Sequence, residues 1–436
     1  MNELNDIPKA LNNQVEEIKN HISKLMELPQ TLEESAKSYG AIVRQRTIKC
    51  AANLLLALFV YASSRMSIRA LAASAAVMGV ADISDQAWQK KFIKCDPWLF
   101  YLLSETTFKM SDESKSAFSV RTVKLLDGST IQQEGKGQKG GEALRIHMCY
   151  NLTDGRMDCI LVTDKHTAES AKVFSIEPGA IYIADAGYGN GKNLAHIVSC
   201  GADAVFRATP NHLNLAEDEK GKTKIDMAKK LETDKNILDF TCYVHTENKK
   251  YIPVRVIAGR LPEDKALLAK ERKIRSAKKR QTNNIRPQTL VYAGWIILVT
   301  TLGDEYNAEW ILKMYRARWQ IELLFKRIKQ SFAVSKLPAA SLKHSRVMIL
   351  LWLILWTLTE QKAVAIESFL LDKKVDMELY SPWAMHNFLF QQLKTVINCI
   401  WALSFDAHDN PIFIFNRLQN HRSSRVNQYA LFRFCF

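Results

Sequence analysis

The sequence predicts an α/β protein whose core of strands and helices is flanked by helical regions at both ends. Residues 1–110 carry apolar residues at helical spacing and few β-branched runs. From about residue 118 the pattern changes to successive short β-rich runs separated by turn residues. One run, "GAIYIAD" (179–185), ends in an aspartate and leads into a helical segment. Together these observations predict an α/β domain with a functional site at strand ends.

The N-terminal region, residues 1–110, is predicted to be helical throughout. Ser84 is a suitable N-cap for a helix over "DQAWQKKF", because its hydroxyl can accept a hydrogen bond from an early backbone N–H. A preceding helix and a break at Gly79 complete a pattern that fits either a helix-turn-helix or a small bundle without groove contact. Three polar residues of the second helix are expected to face outward: Gln86, Gln89 and Lys90.

Residues 111–215 are predicted to hold the strands nearest the site. The run "SVRTVKLLDGST" (119–130) is β-rich and ends in a turn at Asp127. The pair Asp154-Gly155, between two further β-rich runs, is typical of a hairpin turn. An Asp before a turn is often only a turn former, so Asp127 and Asp185 have that alternative interpretation.

Residues 216–304 differ from the preceding strands, because a charged helical run separates their β-rich segments. Between 265 and 286 there are nine Lys and Arg residues and one acid, Glu271. Such a run is usually a solvated helix face, and it also fits a helix that contacts the DNA backbone.

After residue 305 the chain is predicted to be helical again to near its end. Its most apolar run, "VMILLWLILWTL" (347–358), is shorter than the about 18 residues that cross a bilayer, so we expect a buried core helix. The N-terminus lacks the basic stretch and apolar run of a signal peptide. These features predict a cytoplasmic protein with no membrane partner.

The net charge of +15 over 436 residues predicts a polyanionic partner. Nucleic acid is the first candidate and an anionic membrane surface the second. The eight cysteines are scattered without a CxxC pair, which disfavours a zinc site or a disulfide framework and is typical of reduced thiols in a cytosol.

The stretch "YRARWQIELLFKRIKQ" (315–330) is predicted to be one helix that carries an acid among cations. At about 100° per residue, Tyr315, Arg318 and Lys329 lie within about 40° of Glu322. An apolar face lies beside this stripe and is expected to pack on a core; it consists of Ile321, Phe325, Ile328 and Phe332. The ordinary explanation of such an acid is an i,i+4 ion pair, worth about 0.2–0.5 kcal/mol.

Three carboxylates at strand ends and on a helix have a more specific use. If Asp127, Asp185 and Glu322 converge, they can hold two divalent metal ions that activate an oxygen nucleophile and stabilise the leaving oxygen in phosphoryl transfer. Their hard oxygen atoms suit Mg²⁺, with Mn²⁺ as a substitute. The neighbouring cations would then bind the DNA phosphates.

These residues resemble a known family, the bacterial insertion-sequence DDE transposases related to the Tn-five and Tn-ten enzymes. Tyr315, Arg318, Glu322 and Lys329 match its Y-x2-R-x3-E-x6-K signature. "LLDGSTI" resembles its first aspartate motif and "IADAGYGN" its second, in which Ala186 stands where the family often has Arg.

The resemblance implies a ribonuclease H-like catalytic core, residues 111–215 plus 305–360, that is interrupted by a β-rich insertion at 216–304. It assigns DNA-end binding to helical residues 1–110, and residues 361–436 form a helical C-terminal region for which dimerisation is one role.

In site residues, the resemblance implies that Asp127, Asp185 and Glu322 are catalytic metal ligands for Mg²⁺ or Mn²⁺. It implies that Tyr315, Arg318 and Lys329 bind DNA near the cleavage site.

In activity, the resemblance implies a DNA transposase that nicks the ends of its element and joins them to target DNA, with a hairpin intermediate in some members. Double-stranded DNA is the implied partner, as terminal inverted repeats and as target, and the enzyme acts as a homodimer in the bacterial cytoplasm, at the nucleoid. Two alternatives keep the same fold: a catalytically silent DNA-binding regulator or domesticated remnant, and a structure-specific nuclease without strand transfer.

Overall fold

The structure is a computed structural model. The residues that it describes are 30–44, 47–48, 50–64, 66–78, 80–112, 121–132, 143–210, 213–247, 250–279, 285–332, 341–375 and 381–403.

The described chain is a mixture of α-helices and β-strands, as the sequence predicts. In chain order the helices are α1 Leu32–Ser38, α2 Ala51–Ser64, α3 Ile68–Val77, α4 Asp85–Lys94, α5 Asp96–Asp112, α6 Gly191–Ser199, α7 Met227–Lys230, α8 Glu263–Lys279, α9 Pro287–Ala293, α10 Ala308–Arg316, α11 Trp319–Ser331, α12 Leu342–Asp372 and α13 Pro382–Leu403. The strands are β1 Val123–Gln132, β2 Ala143–Asn151, β3 Arg156–Asp164, β4 Ile181–Ala184, β5 Asp203–Arg207, β6 Leu215–Ala216, β7 Ile237–His245, β8 Tyr251–Arg260 and β9 Trp295–Thr300.

The chain divides into two compact units. The helical unit comprises Met1–Thr106 and Ala340–Phe436, and the sheet unit comprises Thr107–Ala339. Residues 340–360, which the sequence analysis places in the catalytic core, therefore group with the helical unit. The physical reason is that α12 is one continuous helix of 31 residues, which packs as a single element and does not divide at residue 360. The roles assigned to the four predicted segments stay predictions.

In the helical unit, α4 begins at the predicted N-cap. The hydroxyl of Ser84 accepts a hydrogen bond from the backbone N–H of Ala87 at 3.2 Å, while Trp88 and Phe92 are buried. The residues expected to face outward are exposed: Gln86, Gln89 and Lys90. Gly79 lies outside the described residues. Exposed polar residues on α4 are compatible with both the helix-turn-helix and the bundle interpretation.

Helix α12 contains the apolar run that the sequence analysis assigns to a buried core. By length and composition it is the one helix in the described part of the chain that could cross a membrane, and 72% of its most apolar window is buried inside the protein. Its middle, from Val347 to Thr359, is buried residue after residue. This burial is what a core helix of a helical domain shows, since its apolar sides all contact protein.

The sheet unit is built on one mixed sheet of nine strands in the order β3-β2-β1-β4-β5-β9-β8-β7-β6. β1, β4 and β5 are parallel neighbours, and the remaining pairs are antiparallel. The predicted hairpin turn is present between β2 and β3, with Gly155 at a φ of 68°. The strands of the predicted insertion, 216–304, continue the same sheet, because β9 pairs with β5.

A buried apolar cluster on the sheet holds the site strands in place. Tyr182 on β4, Phe206 on β5 and Val299 on β9 are fully buried in it. Leu194 and Ile197 of α6 belong to the same cluster, so the helix that follows β4 covers the sheet next to the strand ends. Burying such side chains stabilises the fold by about 1.5–3 kcal/mol each.

Candidate functional site

Two parallel strands bring Asp127 and Asp185 to neighbouring positions. Leu126 of β1 is in register with Ala184 of β4, and the next residue on each strand is an aspartate. The sequence predicts that Asp127 lies at a strand end. In the structure it does not, because β1 continues along its antiparallel partner β2 as far as Gln132. The acid lies in the middle of β1, at the point where pairing with β4 stops.

The surroundings of Asp127 disfavour its negative charge. Burial raises the pKa of Asp127 to about 7, the backbone N–H of Gly128 opposes that rise, and the neighbouring carboxylate of Asp185 adds to it. The guanidinium of Arg318 favours the charged form, whereas Glu169 disfavours it. Asp127 therefore sits between two other acids and one cation.

Glu322 is paired with the guanidinium of Arg318 in this structure. Its Oε1 accepts a hydrogen bond from Arg318 at 2.5 Å, and the pair is the i,i+4 ion pair that the ordinary explanation predicts. Arg318 is 14% exposed in its side chain and Glu322 is 34% exposed. Because Arg318 also interacts electrostatically with Asp127, this one guanidinium lies between the two acids.

The stretch 315–330 is two helices rather than the single helix that the sequence predicts. α10 ends at Arg316 and α11 begins at Trp319. The backbone at Ala317 and Arg318 keeps right-handed helical angles, but the hydrogen bonds there run from residue i to i−3, as in Arg318 N–H to Tyr315 O at 3.1 Å. A turn of the 3-10 type replaces one α-helical turn at this point. The chain keeps its right-handed helical sense from α10 into α11.

The other members of the predicted stripe have different environments. Lys329 is half-buried and donates a hydrogen bond from Nζ to Ser129 Oγ at 2.6 Å, which ties α11 to β1. Tyr315 is only 7% exposed, and the Arg318 guanidinium lies over its ring at 5.7 Å. The predicted apolar face is buried at Ile321, Phe325 and Ile328.

A cleft of about 330 Å³ opens beside the acids. Its lining includes Asp185, Glu322, Arg318 and two cations that the sequence analysis does not single out, Arg207 and Lys273. Arg207 is the last residue of β5, and its neighbour Phe206 is in register with Ala184. A strand-end argument applied to β5 would have found Arg207, whereas Lys273 of α8 could be seen only as one of nine cations in a run.

Glu169 is a further acid at the site that no motif in the sequence marks. A Cβ added at Gly187 would lie 2.4 Å from Glu169 Oε2 and 3.1 Å from Asp185 Oδ1, so these two oxygens are neighbours. A Cβ at Gly128 would lie 2.9 Å from Glu169 Cγ. The only sequence signal is the glycine that closely follows each aspartate.

The donor chemistry of the predicted ligands fits a hard divalent cation, because all three are carboxylates. The repulsion between Asp127 and Asp185 is the kind that a bound cation relieves. Within the described ranges, however, no three His, Cys, Asp or Glu side chains lie close enough together to hold one ion. The structure brings Asp127 and Asp185 together and leaves Glu322 on Arg318.

Three other residues of the sheet unit have structural contacts. His147 is fully buried and lies with Nε2 2.9 Å from Thr163 Oγ1. Arg145 donates from its guanidinium to the backbone oxygen of Thr167 at 2.7 Å. Trp295 is 6% exposed in the core of the sheet unit, and it also lines the cleft.

Comparison with known proteins gives consistent matches. A family model described as "Transposase DDE domain" matches residues 118–358. The putative transposase InsL for insertion sequence element IS186A of Escherichia coli K12 is 33% identical over 326 residues, covering 73% of this chain and 85% of the relative. The transposase for insertion sequence element IS421 of Escherichia coli is 33% identical over 327 residues with the same coverage.

Proposed function

Because this chain belongs to the DDE transposase domain family, we propose that it moves an insertion sequence and that Asp127, Asp185 and Glu322 form its metal centre. The resemblance to insertion-sequence DDE transposases is confirmed at that level. Placement among the Tn-five and Tn-ten relatives, with the Y-x2-R-x3-E-x6-K signature, is part of the proposal. So are the ribonuclease H-like description of the core and the insertion at 216–304.

The observation that carries the proposal is the register of β1 and β4. Parallel strands in register at Leu126 and Ala184 set Asp127 beside Asp185 at partly buried positions where the pairing of the two strands stops, next to a cleft. Two adjacent carboxylates in a partly dehydrated place are costly without a cation. A reaction that needs bound cations would explain why two acids lie side by side here.

In the proposed mechanism, Asp127, Asp185 and Glu322 hold divalent cations, Mg²⁺ with Mn²⁺ as substitute, and Arg318, Lys329 and Tyr315 hold DNA. When bound, the cations activate the attacking oxygen and stabilise the leaving oxygen of phosphoryl transfer. The lining residues Arg207 and Lys273 add positive charge to the cleft, which attracts the phosphates on either side of the cleaved one. Hydrolytic nicking, a hairpin intermediate and strand transfer are the proposed steps.

The ion pair of Arg318 with Glu322 gives the proposed site an order of assembly. A DNA phosphate is a better partner for an Arg guanidinium than a single carboxylate oxygen, since it accepts two parallel hydrogen bonds. When Arg318 turns to the phosphate, Glu322 is released toward Asp127 and Asp185. DNA binding thereby completes the carboxylate set.

The remaining parts of the proposal concern partners and place. Terminal inverted repeats of the element and a target duplex are the DNA partners, recognised by residues 1–110 and contacted by the basic helix α8. The protein works as a homodimer through residues 361–436, in the bacterial cytoplasm at the nucleoid. The net charge of +15 supports binding to DNA.

The test is cleavage of DNA that carries the element end, with the native protein, Glu322→Ala and the control Glu309→Ala. Glu309 is an exposed acid of α10 and should be replaceable without loss of activity. We expect Mg²⁺-dependent nicking and joining by the native protein and by the control, and none by Glu322→Ala.

Two results would contradict parts of the proposal. Native protein that binds the DNA without nicking it would favour the silent regulator. Nicking without any joined or hairpin product would favour the nuclease.

A further inference from the structure

Glu169 occupies a cradle formed by two glycines that follow the site aspartates. It lies just before a short 3-10 turn, Ala171–Val173, and its side chain reaches the middle of β1 and the residues that follow β4. Its Cγ fills the space where a Gly128 side chain would be, and its Oε2 fills that of Gly187. A methyl group at either position would collide with Glu169, so the absence of both is what admits the carboxylate.

The carboxylate of Glu169 has no neutralising partner among the described residues. Among the described residues it has no hydrogen bond and no ion pair, although it is half-buried. The cation nearest to it electrostatically is Arg145, whose guanidinium is engaged by the backbone oxygen of Thr167. Asp185 and Asp127 both interact with Glu169 unfavourably. Glu169 is thus within electrostatic range of both aspartates, although the three carboxylates are not close enough together to hold one ion as they stand.

A purely structural role does not explain this arrangement. A packing residue at a crowded, half-buried position would be stabler without the charge, since like charges repel and burial disfavours ionisation. Nothing in the described surroundings uses the Glu169 oxygens as hydrogen-bond acceptors. A divalent cation held by the carboxylates of Glu169 and Asp185 would make the charge favourable.

We propose that Glu169 is a fourth carboxylate of the metal centre, holding a divalent cation together with Asp185. This rests on the proposed function, because it assumes that Asp127 and Asp185 bind metal. It adds a ligand from a loop that no sequence motif marks. Glu169 precedes Asp185 in the sequence, whereas Glu322 follows it. It also gives Gly128 and Gly187 a role, which is to leave room for that ligand.

The experiment measures Mn²⁺ binding to the full chain without DNA, by electron paramagnetic resonance of free Mn²⁺ and by the rise in melting temperature on adding Mn²⁺. The variants are Glu169→Gln, Gly128→Ala, Asp185→Asn and the control Glu232→Gln, an exposed acid of the sheet unit. Gly128→Ala displaces Glu169 while leaving its charge, because the atoms it meets belong to that side chain.

We expect Glu169→Gln and Gly128→Ala to bind Mn²⁺ about 10-fold or more weakly, while the control binds as the native protein does. Without metal, Glu169→Gln should melt at the same or a higher temperature than the native protein, because a repulsion is removed. A lower melting temperature with unchanged Mn²⁺ affinity would show a structural residue and overturn the proposal.

The outcomes separate this inference from the proposed function. Native affinity in Glu169→Gln together with lost binding in Asp185→Asn would refute the role of Glu169 and keep the metal centre. Native affinity in Asp185→Asn, or no Mn²⁺ binding by the native chain, would refute the metal centre itself and the fourth ligand with it.

Discussion

His147 is a buried imidazole on β2, and its surroundings keep it neutral. Burial, with a smaller contribution from Arg145, lowers the pKa of His147 to about 4, whereas a histidine in an unfolded chain titrates near about 6.5. The ring lies edge-on to Phe174, with centroids 6.3 Å apart. A proton on this ring would have no water to solvate it.

Stability should therefore fall in acid. Above about pH 6.5 the folded and unfolded chains both leave this imidazole neutral, so its pKa shift has no effect on the free energy of unfolding. Between about pH 6.5 and 4 only the unfolded chain binds the proton, and stability falls by up to about 3 kcal/mol. Urea unfolding of native protein and His147→Phe near pH 7.5 and near pH 5 checks this. The variant should lose less between the two values, and an equal loss would contradict it.

Residue-level chemistry was only partly readable from the sequence. Asp127 and Asp185 could be found because each follows an apolar β run and is closely followed by a glycine. Their adjacency could not, since register depends on which strands pair. Glu169 could not be predicted, because it stands in a loop without a recognisable pattern. Its position at the site depends on the space beside Gly128 and Gly187, which are distant from it in sequence.

At the scale of elements, the junction of α10 and α11 positions the cation that holds Glu322. No residue from Met314 to Gln320 breaks helices in a sequence-based prediction, so the change to i−3 hydrogen bonds was not predictable. It arises where Tyr315 is buried and Arg318 is held by two acids. Tertiary contacts override local propensity there.

Arg318→Ala should change metal and DNA binding in opposite directions. Loss of the guanidinium releases Glu322 and removes a positive charge beside Asp127, so Mn²⁺ binding without DNA should strengthen. DNA binding should weaken, because the proposed phosphate contact of Arg318 is lost. Electron paramagnetic resonance and a filter-binding assay measure the two. Arg316→Ala, an exposed neighbour of the same charge, should leave Mn²⁺ binding unchanged, and unchanged Mn²⁺ binding in Arg318→Ala would refute the order of assembly.

The predicted charged helix is confirmed as α8, and most of its cations are exposed. The structure buries none of its residues, which a solvated face and a DNA contact both allow. The cleft position of Lys273 favours the DNA contact.

Replacing Arg272, Lys273 and Arg275 by Gln should lower DNA affinity and reduce the salt dependence of binding by about 0.9 per lost phosphate contact. The melting temperature should stay the same, because no buried contact is removed. The matched control replaces Lys220, Lys222 and Lys235, exposed lysines elsewhere in the sheet unit. If both triple variants have the same salt slope, α8 is a solvated helix only.

At the scale of the whole molecule, the packing of α12 distinguishes a core helix from a membrane span. Leu350→Ala should lower the free energy of unfolding by about 2–5 kcal/mol, because the side chain is fully buried. Phe369→Ala on the same helix is the control, since Phe369 is 59% exposed. Thermal melting of the protein in detergent-free buffer measures both. Equal effects would show that Leu350 does not pack in a protein core.

The division of the chain was predictable in outline. Composition and periodicity identify helical ends and a central sheet, and Ser84 marks the start of a helix correctly. Two aspects depend on contacts distant in sequence: the grouping of residues 340–360 with the N-terminal helices, and the continuity of the sheet across the predicted insertion.

That continuity has a consequence for how the protein folds. β1 and β2 pair across a short sequence separation, and β4 and β5 join them soon after. Val205 of β5, by contrast, pairs with Thr300 of β9, which requires nearly a hundred intervening residues to be in place first. Closing so long a loop is slow. During synthesis, the strands that carry the two aspartates can therefore pair before the β9 side of the cleft exists.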